Sequence, residues 1–207
     1  YRWFCIRLRE NGVNVLGVGD ARYEELHPDL RAALTEYYKV DSLADYDQMV
    51  RALGHFTGEY GKLDWVESNN EFWLELDAAL RTDFNITTGL KSDEIVKYKS
   101  KSRMKEYFKA AGVPAARFLK LTTLEAALAA ETGYPVVVKP DSGVGATATY
   151  KLSSDDEVRA FFRELPAESY LMEEFVPGVV TTYDGVCNSK GEALFAASHI
   201  SPDSIMD

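Results

Sequence analysis

Lys139 ends a short β-branched run, Val136 to Val138, and stands directly before a small glycine-containing loop, Asp141 to Ala146. Gly143 and Gly145 in that loop let backbone N–H groups approach an anion with no side chain in the way, and the lysine adds a point charge. This combination suits phosphate chemistry, and a triphosphate is the anion it fits best. The same stretch also fits a plain hairpin with a glycine-rich turn. Further upstream, Lys97, Lys99, Lys101, Arg103, Lys105 and Lys109 face a single acid, Glu106. A basic helix is commonly just a solvated face. Lys101, however, falls at a helix start, where a cation gains nothing from the helix dipole. A bound phosphate is one candidate reason for its place there.

These residues need elements to hold them. Gly133 and Pro135 precede the valine run and Pro140 follows it, which reads as a buried strand. Thr147 to Tyr150 reads as a second strand after the loop. Met104, Tyr107, Phe108 and Ala111 give the basic stretch one apolar helical face, and Gly112 and Pro114 stop it. Arg117 to Leu121 reads as a strand. Thr122 with Glu125, and Ser154 with Glu157, are capping boxes for two helices. The second helix buries Val158, Phe161, Phe162 and Leu165. Tyr170 to Val176 is a strand broken by Pro177-Gly178. Val179 to Asn188 and Glu192 to His199 form a hairpin turning at Ser189 to Gly191.

The first part of the chain alternates strand and helix. A helix over the first ten residues stops at Gly12, and Val13 to Val18 is a strand. Gly17 and Gly19 lack the third glycine and the helix pattern of a dinucleotide fingerprint. Pro28 to Leu34 reads as a short helix and Tyr37 to Val40 as a strand. Asp41 or Ser42 caps a helix carrying Leu43, Tyr46, Val50 and Leu53. Leu63 to Glu67 is a further strand, and the next helix buries Phe72, Leu76 and Leu80. Asn69 or Asn70 caps it, and Asp83 to Ser92 is a connector. Such alternation implies a parallel sheet covered by helices, with ligands at the carboxyl ends of its strands.

Composition narrows the function classes. The net charge of −10 disfavours a general nucleic-acid binder, so a polyanion site must be a local basic pocket. No apolar run is long enough to span a bilayer, which argues against a membrane partner. Cys5 and Cys187 read as thiols of a reducing compartment, and a cytoplasmic location is expected. His27, His55 and His199 make no metal spacing. Neither a P-loop nor a Gly-x-Ser-x-Gly elbow is present.

Taken together, the second half resembles the ATP-grasp superfamily. The resemblance is carried by Lys101 opening a helix that ends in Ala-Gly-Val-Pro, Pro-Val-Val-Val-Lys-Pro, the Ser-Gly-Val-Gly-Ala loop, and Leu-Met-Glu-Glu-Phe-Val-Pro-Gly. It implies an α/β fold: a Rossmann-like pre-ATP-grasp domain over residues 1–90, then over 91–207 the first lobe and the start of the second lobe of an ATP-grasp domain. By the same resemblance, Lys101 and Lys139 contact the phosphates of ATP, and Ser142, Gly143, Gly145 and Ala146 close over them. Glu173, Glu174 and Val176 lie at the adenine hinge, with the Glu174 carbonyl accepting from the amino group and the Val176 N–H donating to the ring. Two positions depart from the pattern. Val179, Val180 and Thr181 stand where relatives carry an acid for ribose, and Ser100 stands where an acid usually precedes the first lysine.

The implied function is an ATP-dependent ligase. It phosphorylates a carboxylate and lets an amine or other nucleophile attack the acyl phosphate, with Mg2+ and the lysines stabilising the transferring group. Its partners would be a small-molecule carboxylate and an amine, with a second copy of itself as a further candidate. The alternative is a non-catalytic nucleotide-binding or regulatory module on the same fold. No catalytic residue and no metal ligand is assigned. The resemblance places the metal-binding strands beyond Asp207 and a first strand before Tyr1, so it implies activity in a longer chain and inactivity in this fragment.

Overall fold

Capping and burial patterns cut the chain into short elements, which a computed structural model describes at residues 1–143, 148–165 and 169–201. They gather into two compact units, Tyr1–Lys99 and Ser100–Asp207. Among the described residues, no helix is long and apolar enough to cross a membrane.

In the first unit, helix α1 (Arg2–Glu10) precedes strand β1 (Leu16–Gly19), helix α2 (Pro28–Ala33) and strand β2 (Glu36–Lys39). β1 and β2 pair in parallel, Leu16 opposite Glu36 and Gly19 opposite Lys39. Helix α3 (Tyr46–Tyr60) follows, then α4 (Leu74–Asp83) and α5 (Ser92–Lys99). Met49, Ala52, Leu53 and Leu80 form the core with Val40, and Tyr46 and Val50 pack at its margin. Gly19 answers the glycine question raised by the sequence. A Cβ there would lie 2.5 Å from the Tyr37 hydroxyl, so this glycine makes room for a phenol of the same unit.

Three expectations need correction in this unit. The cap of α3 is Asp45, whose side chain accepts from the Gln48 N–H, so the helix starts later than Asp41 or Ser42 would give. Leu63 to Glu67 forms no strand. Side chains serve its backbone instead: Arg81 donates to the Val66 carbonyl from Nε at 2.9 Å and from Nη2 at 2.7 Å, and Thr88 donates to the Asp64 carbonyl. A segment whose polar groups are met this way does not need a ladder. Phe72 is 59% exposed because Glu71–Trp73 is a 3-10 turn before α4, and Asn70 caps that turn by accepting from the Phe72 N–H.

In the second unit, helix α6 (Lys101–Ala110) leads to strand β3 (Phe118–Lys120), helix α7 (Leu124–Leu128) and strand β4 (Val136–Pro140). Strand β5 (Tyr150–Leu152), helix α8 (Asp155–Arg163) and strand β6 (Tyr170–Glu174) complete an antiparallel sheet in the order β3-β6-β4-β5. Side chains directly opposite on paired strands share a face, and those one residue on take the other. Val136, Val138, Tyr170 and Met172 fall on one face, packed with Ala127 of α7 and Val158 of α8. Each such buried side chain contributes about 1.5–3 kcal/mol relative to exposure. Phe118, Lys120, Val137, Lys139, Leu171, Glu173 and Lys151 take the opposite face by register.

Here too some boundaries move. The helix start read at Lys101 holds: α6 is capped by Ser100, whose side chain accepts from the Arg103 N–H, and Lys97 and Lys99 belong to the preceding α5. Tyr107 and Phe108, on the apolar face read from the sequence, are exposed. α7 is capped by Thr123 rather than Thr122. Ser154 caps α8 as expected, although Glu157 reaches back to the Ser153 N–H instead of completing the box on Ser154. Beyond β6, strands β7 (Val180–Thr181) and β10 (Ile200–Ser201) pair antiparallel. Between them lies the expected hairpin of β8 (Asp184–Cys187) and β9 (Ala193–Ala197), with a bulge at Val186/Cys187.

Candidate functional site

β4 sets up the site because it alternates. Val136 and Val138 are buried in the core, so Lys139 must emerge on the other face. There its Nζ lies 2.8 Å from Glu173 Oε2 on the adjacent β6. The other oxygen, Oε1, lies 3.2 Å from Lys105 Nζ of α6. That second contact is an ion pair without hydrogen-bond geometry, and Oε1 has no hydrogen-bond donor among the described residues. Side-chain exposure is 8% for Glu173, 12% for Lys105 and 26% for Lys139. Lys105 also donates to the Ala116 carbonyl at 2.9 Å and lies 5.6 Å from the Phe118 ring centre. One buried carboxylate thus holds two ammonium groups from two elements.

The strand end carries a second cluster. Asp141 is buried, and its Oδ1 accepts from the Ser102 N–H at 2.7 Å. Its Oδ2 accepts from the hydroxyls of Ser100 and Ser102, both at 3.0 Å. The backbone joins in: the Lys101 N–H donates to the Asp141 carbonyl at 2.8 Å, and the Asp141 N–H donates to the Ser169 carbonyl at 2.8 Å. The first turn of α6 is therefore fastened to the end of β4. Burial alone would push the Asp141 carboxyl up. The hydrogen bonds from Ser102 and Ser100, with Lys120 3.6 Å away, outweigh it and hold the group below the usual carboxylate range. This clamp gives Lys101 its place beside the loop, and Lys101 Nζ donates to the Gly143 carbonyl at 3.2 Å. Gly143 turns that carbonyl at φ 138°, a backbone conformation that side chains disfavour.

At the other end of β6, the Glu174 carboxylate is taken up by Arg117, accepting from its N–H at 2.8 Å and its Nε at 2.6 Å. The backbone N–H and the guanidinium of Arg117 hold the Glu174 carboxyl below its ordinary value. Val176 lies beyond the strand and is exposed, and Lys151 Nζ sits 4.2 Å from the neighbouring Phe175 ring.

Of the residues proposed from sequence, Lys101 and Gly143 are joined directly, Ser142 lies next to them and is exposed, and Lys139 and Glu173 are ion-paired. Glu174 and Val176 sit at and beyond the end of β6. Gly145 and Ala146 fall outside the described residues. Three participants escaped the sequence reading: Lys105, Asp141 and Ser102. For Lys105 the signal was its spacing of one helical turn from Lys101. Among the described residues, no group of three or more His, Cys, Asp or Glu could hold a metal ion.

No protein-family profile matches the chain. No curated protein matches it either. Solved structures do. The L-amino acid ligase from Bacillus licheniformis aligns at TM-score 0.63 and 17% identity, over 95% of this chain and 45% of that one. The biotin carboxylase domain of Hydrogenobacter thermophilus 2-oxoglutarate carboxylase, solved with MgADP, ADP and bicarbonate, aligns at TM-score 0.69 and 22% identity, over 88% and 43%. Phosphoribosylglycinamide synthetase from Anaerococcus prevotii aligns at TM-score 0.60 and 20% identity, over 94% and 47%. The chain spans less than half the length of each of these three proteins. What the likenesses show is the fold: a Rossmann-like domain followed by the first lobe and the start of the second lobe of an ATP-grasp domain.

Proposed function

We propose that the protein is an ATP-dependent ligase that activates a carboxylate as an acyl phosphate for attack by an amine or another nucleophile. One observation carries this reading. The Asp141 clamp fastens the helix start bearing Lys101 to the end of the strand bearing Lys139, so two cations and a glycine carbonyl turn are gathered at one strand end. With Lys105 and Lys120 beside the Glu173 and Asp141 carboxylates, four lysines face two acids at this strand end of an otherwise acidic chain, an excess of positive charge that suits a triphosphate. In this reading Lys101 and Lys139 hold the phosphates and Ser142, Gly143, Gly145 and Ala146 cover them. Adenine lies against the end of β6, where the Glu174 carbonyl accepts from its amino group and the Val176 N–H donates to the ring.

A triphosphate brings Mg2+ with it, and the ion would neutralise charge on the transferring group. The described residues offer no carboxylate cluster for it, so no step is derived through the metal. Residues 1–90 would form the pre-ATP-grasp domain and 91–207 the grasp domain, and the substrates would be small molecules in a cytoplasmic setting.

The test is ADP formation by the purified full-length protein with MgATP, screened over a panel of carboxylates and amines. Release of ADP that requires one carboxylate supports the ligase. Tight ATP binding with no carboxylate-dependent release across the panel supports a binding module.

A further inference from the structure

The two lysines around Glu173 pose an electrostatic question. Removing charges from water is costly, and a buried ion pair is by itself weak evidence for stability. A lone pair of Lys139 and Glu173 would be neutral. Adding Lys105 leaves the trio with a net charge of +1 next to the loop that opens at Asp141. Lys105 reaches it from another element, is 12% exposed, and is held in place by the Ala116 carbonyl. It contacts Glu173, the Ala116 carbonyl and the Phe118 ring. What it changes is the net charge around Lys139, from zero to +1.

We propose that Lys105 is a charge-balancing positioning residue. It offsets the buried Glu173 carboxylate so that Lys139 presents net positive charge to an incoming phosphate chain. The inference rests on the phosphate-binding part of the proposed function and does not depend on adenine recognition or on ligase chemistry.

The charge count sets an order of affinities that a packing role would not produce. Lys105→Met makes the trio neutral, Glu173→Gln raises it to +2, and the two together return it to the original +1. A unit charge acting over roughly 7 Å, at an effective dielectric between those of a protein surface and water, changes affinity by about 3-fold to about 50-fold.

The experiment is calorimetric titration of the protein with inorganic tripolyphosphate, ATP and adenosine at fixed low ionic strength. For tripolyphosphate and ATP, Glu173→Gln should bind tightest. The wild type and the double variant should match within about 3-fold, and Lys105→Met should be weakest by about tenfold. Adenosine affinity should stay constant in Lys105→Met and Lys105→Arg, which leave Glu173 and the end of β6 unchanged. Lys105→Arg keeps the charge and should stay with the wild type. Should Lys105→Met lower the melting temperature, Glu173→Gln, which keeps Lys105, still reads the effect of one unit of charge.

The proposal is overturned if Lys105→Met binds tripolyphosphate as the wild type does. It is also overturned if the double variant is as weak as Lys105→Met, if Lys105→Arg is equally weak, or if neither the wild type nor Glu173→Gln binds tripolyphosphate. The predicted order for tripolyphosphate without preference for ATP would uphold the charge role and remove the adenine reading.

Discussion

The Asp141 clamp allows a sharp test of how the site is built. Asp141→Asn preserves shape but replaces a charged acceptor with a neutral amide. Three hydrogen bonds are affected: the Ser102 N–H at 2.7 Å and the hydroxyls of Ser100 and Ser102 at 3.0 Å. The serines can rotate to accept from the new amide, so the bonds lose their charge assistance rather than vanishing. Bonds to charged groups contribute roughly 1 kcal/mol more than neutral ones, so the loss is about 3 kcal/mol in all. Lys120, at 3.6 Å and half exposed, adds little. For a unit of this size, a loss of that order lowers the melting temperature by roughly 10–20 °C. The assay is differential scanning calorimetry, read as the fall in melting temperature. Asp156→Asn, in the first turn of α8, serves as the control and should cost under about 1 kcal/mol. Asp141→Asn also loosens the start of α6, so ATP affinity should fall with it. A loss no larger than the control's would show that the clamp does not hold α6 to β4.

Other outcomes follow from the same geometry. Lys139→Ala should weaken ATP binding tenfold to a hundredfold, the usual ~1.5–3 kcal/mol for a charged hydrogen bond, and leave adenosine binding unchanged by calorimetry. Because the folded Asp141 carboxyl is held below its usual value, its contribution to stability is fully present above the unfolded pKa near 3.9. It is lost as the pH falls through the lower folded value, so acid-unfolding curves of Asp141→Asn should be flatter below about pH 4 than those of the wild type. In the first unit, Arg81→Ala removes a buried guanidinium that serves the Val66 and Leu90 carbonyls and Glu67, and should cost about 3–5 kcal/mol in denaturant titration.

Strands and helices with strong local signals were legible from the residues alone. The valine run and the Ser154 cap are examples, because β-branching and capping act over a few residues. The hairpin of β8 and β9 was legible for the same reason. Leu63 to Glu67 misled because its backbone is met by Arg81 and Thr88, side chains from distant parts of the sequence. The place of Lys139 at the end of the valine run was legible, and the alternation of β4 in the structure sets its face. Its partner did not. Glu173 reads locally as one more residue of a strand, and only the pairing of β4 with β6 brings it beside Lys139. Asp141 was likewise read as part of a loop, whereas its contacts with Ser100 and Ser102 cross about forty residues of sequence.

The central claim is that ATP phosphorylates a carboxylate at this site. It is tested most directly with a carboxylate that supports turnover, labelled with 18O in both oxygens and followed by phosphorus NMR. The account predicts ADP and inorganic phosphate carrying one 18O from the carboxylate, with both formed about tenfold or more slowly by Lys139→Ala at sub-saturating ATP. Formation of AMP and pyrophosphate, or of inorganic phosphate free of label, would contradict it.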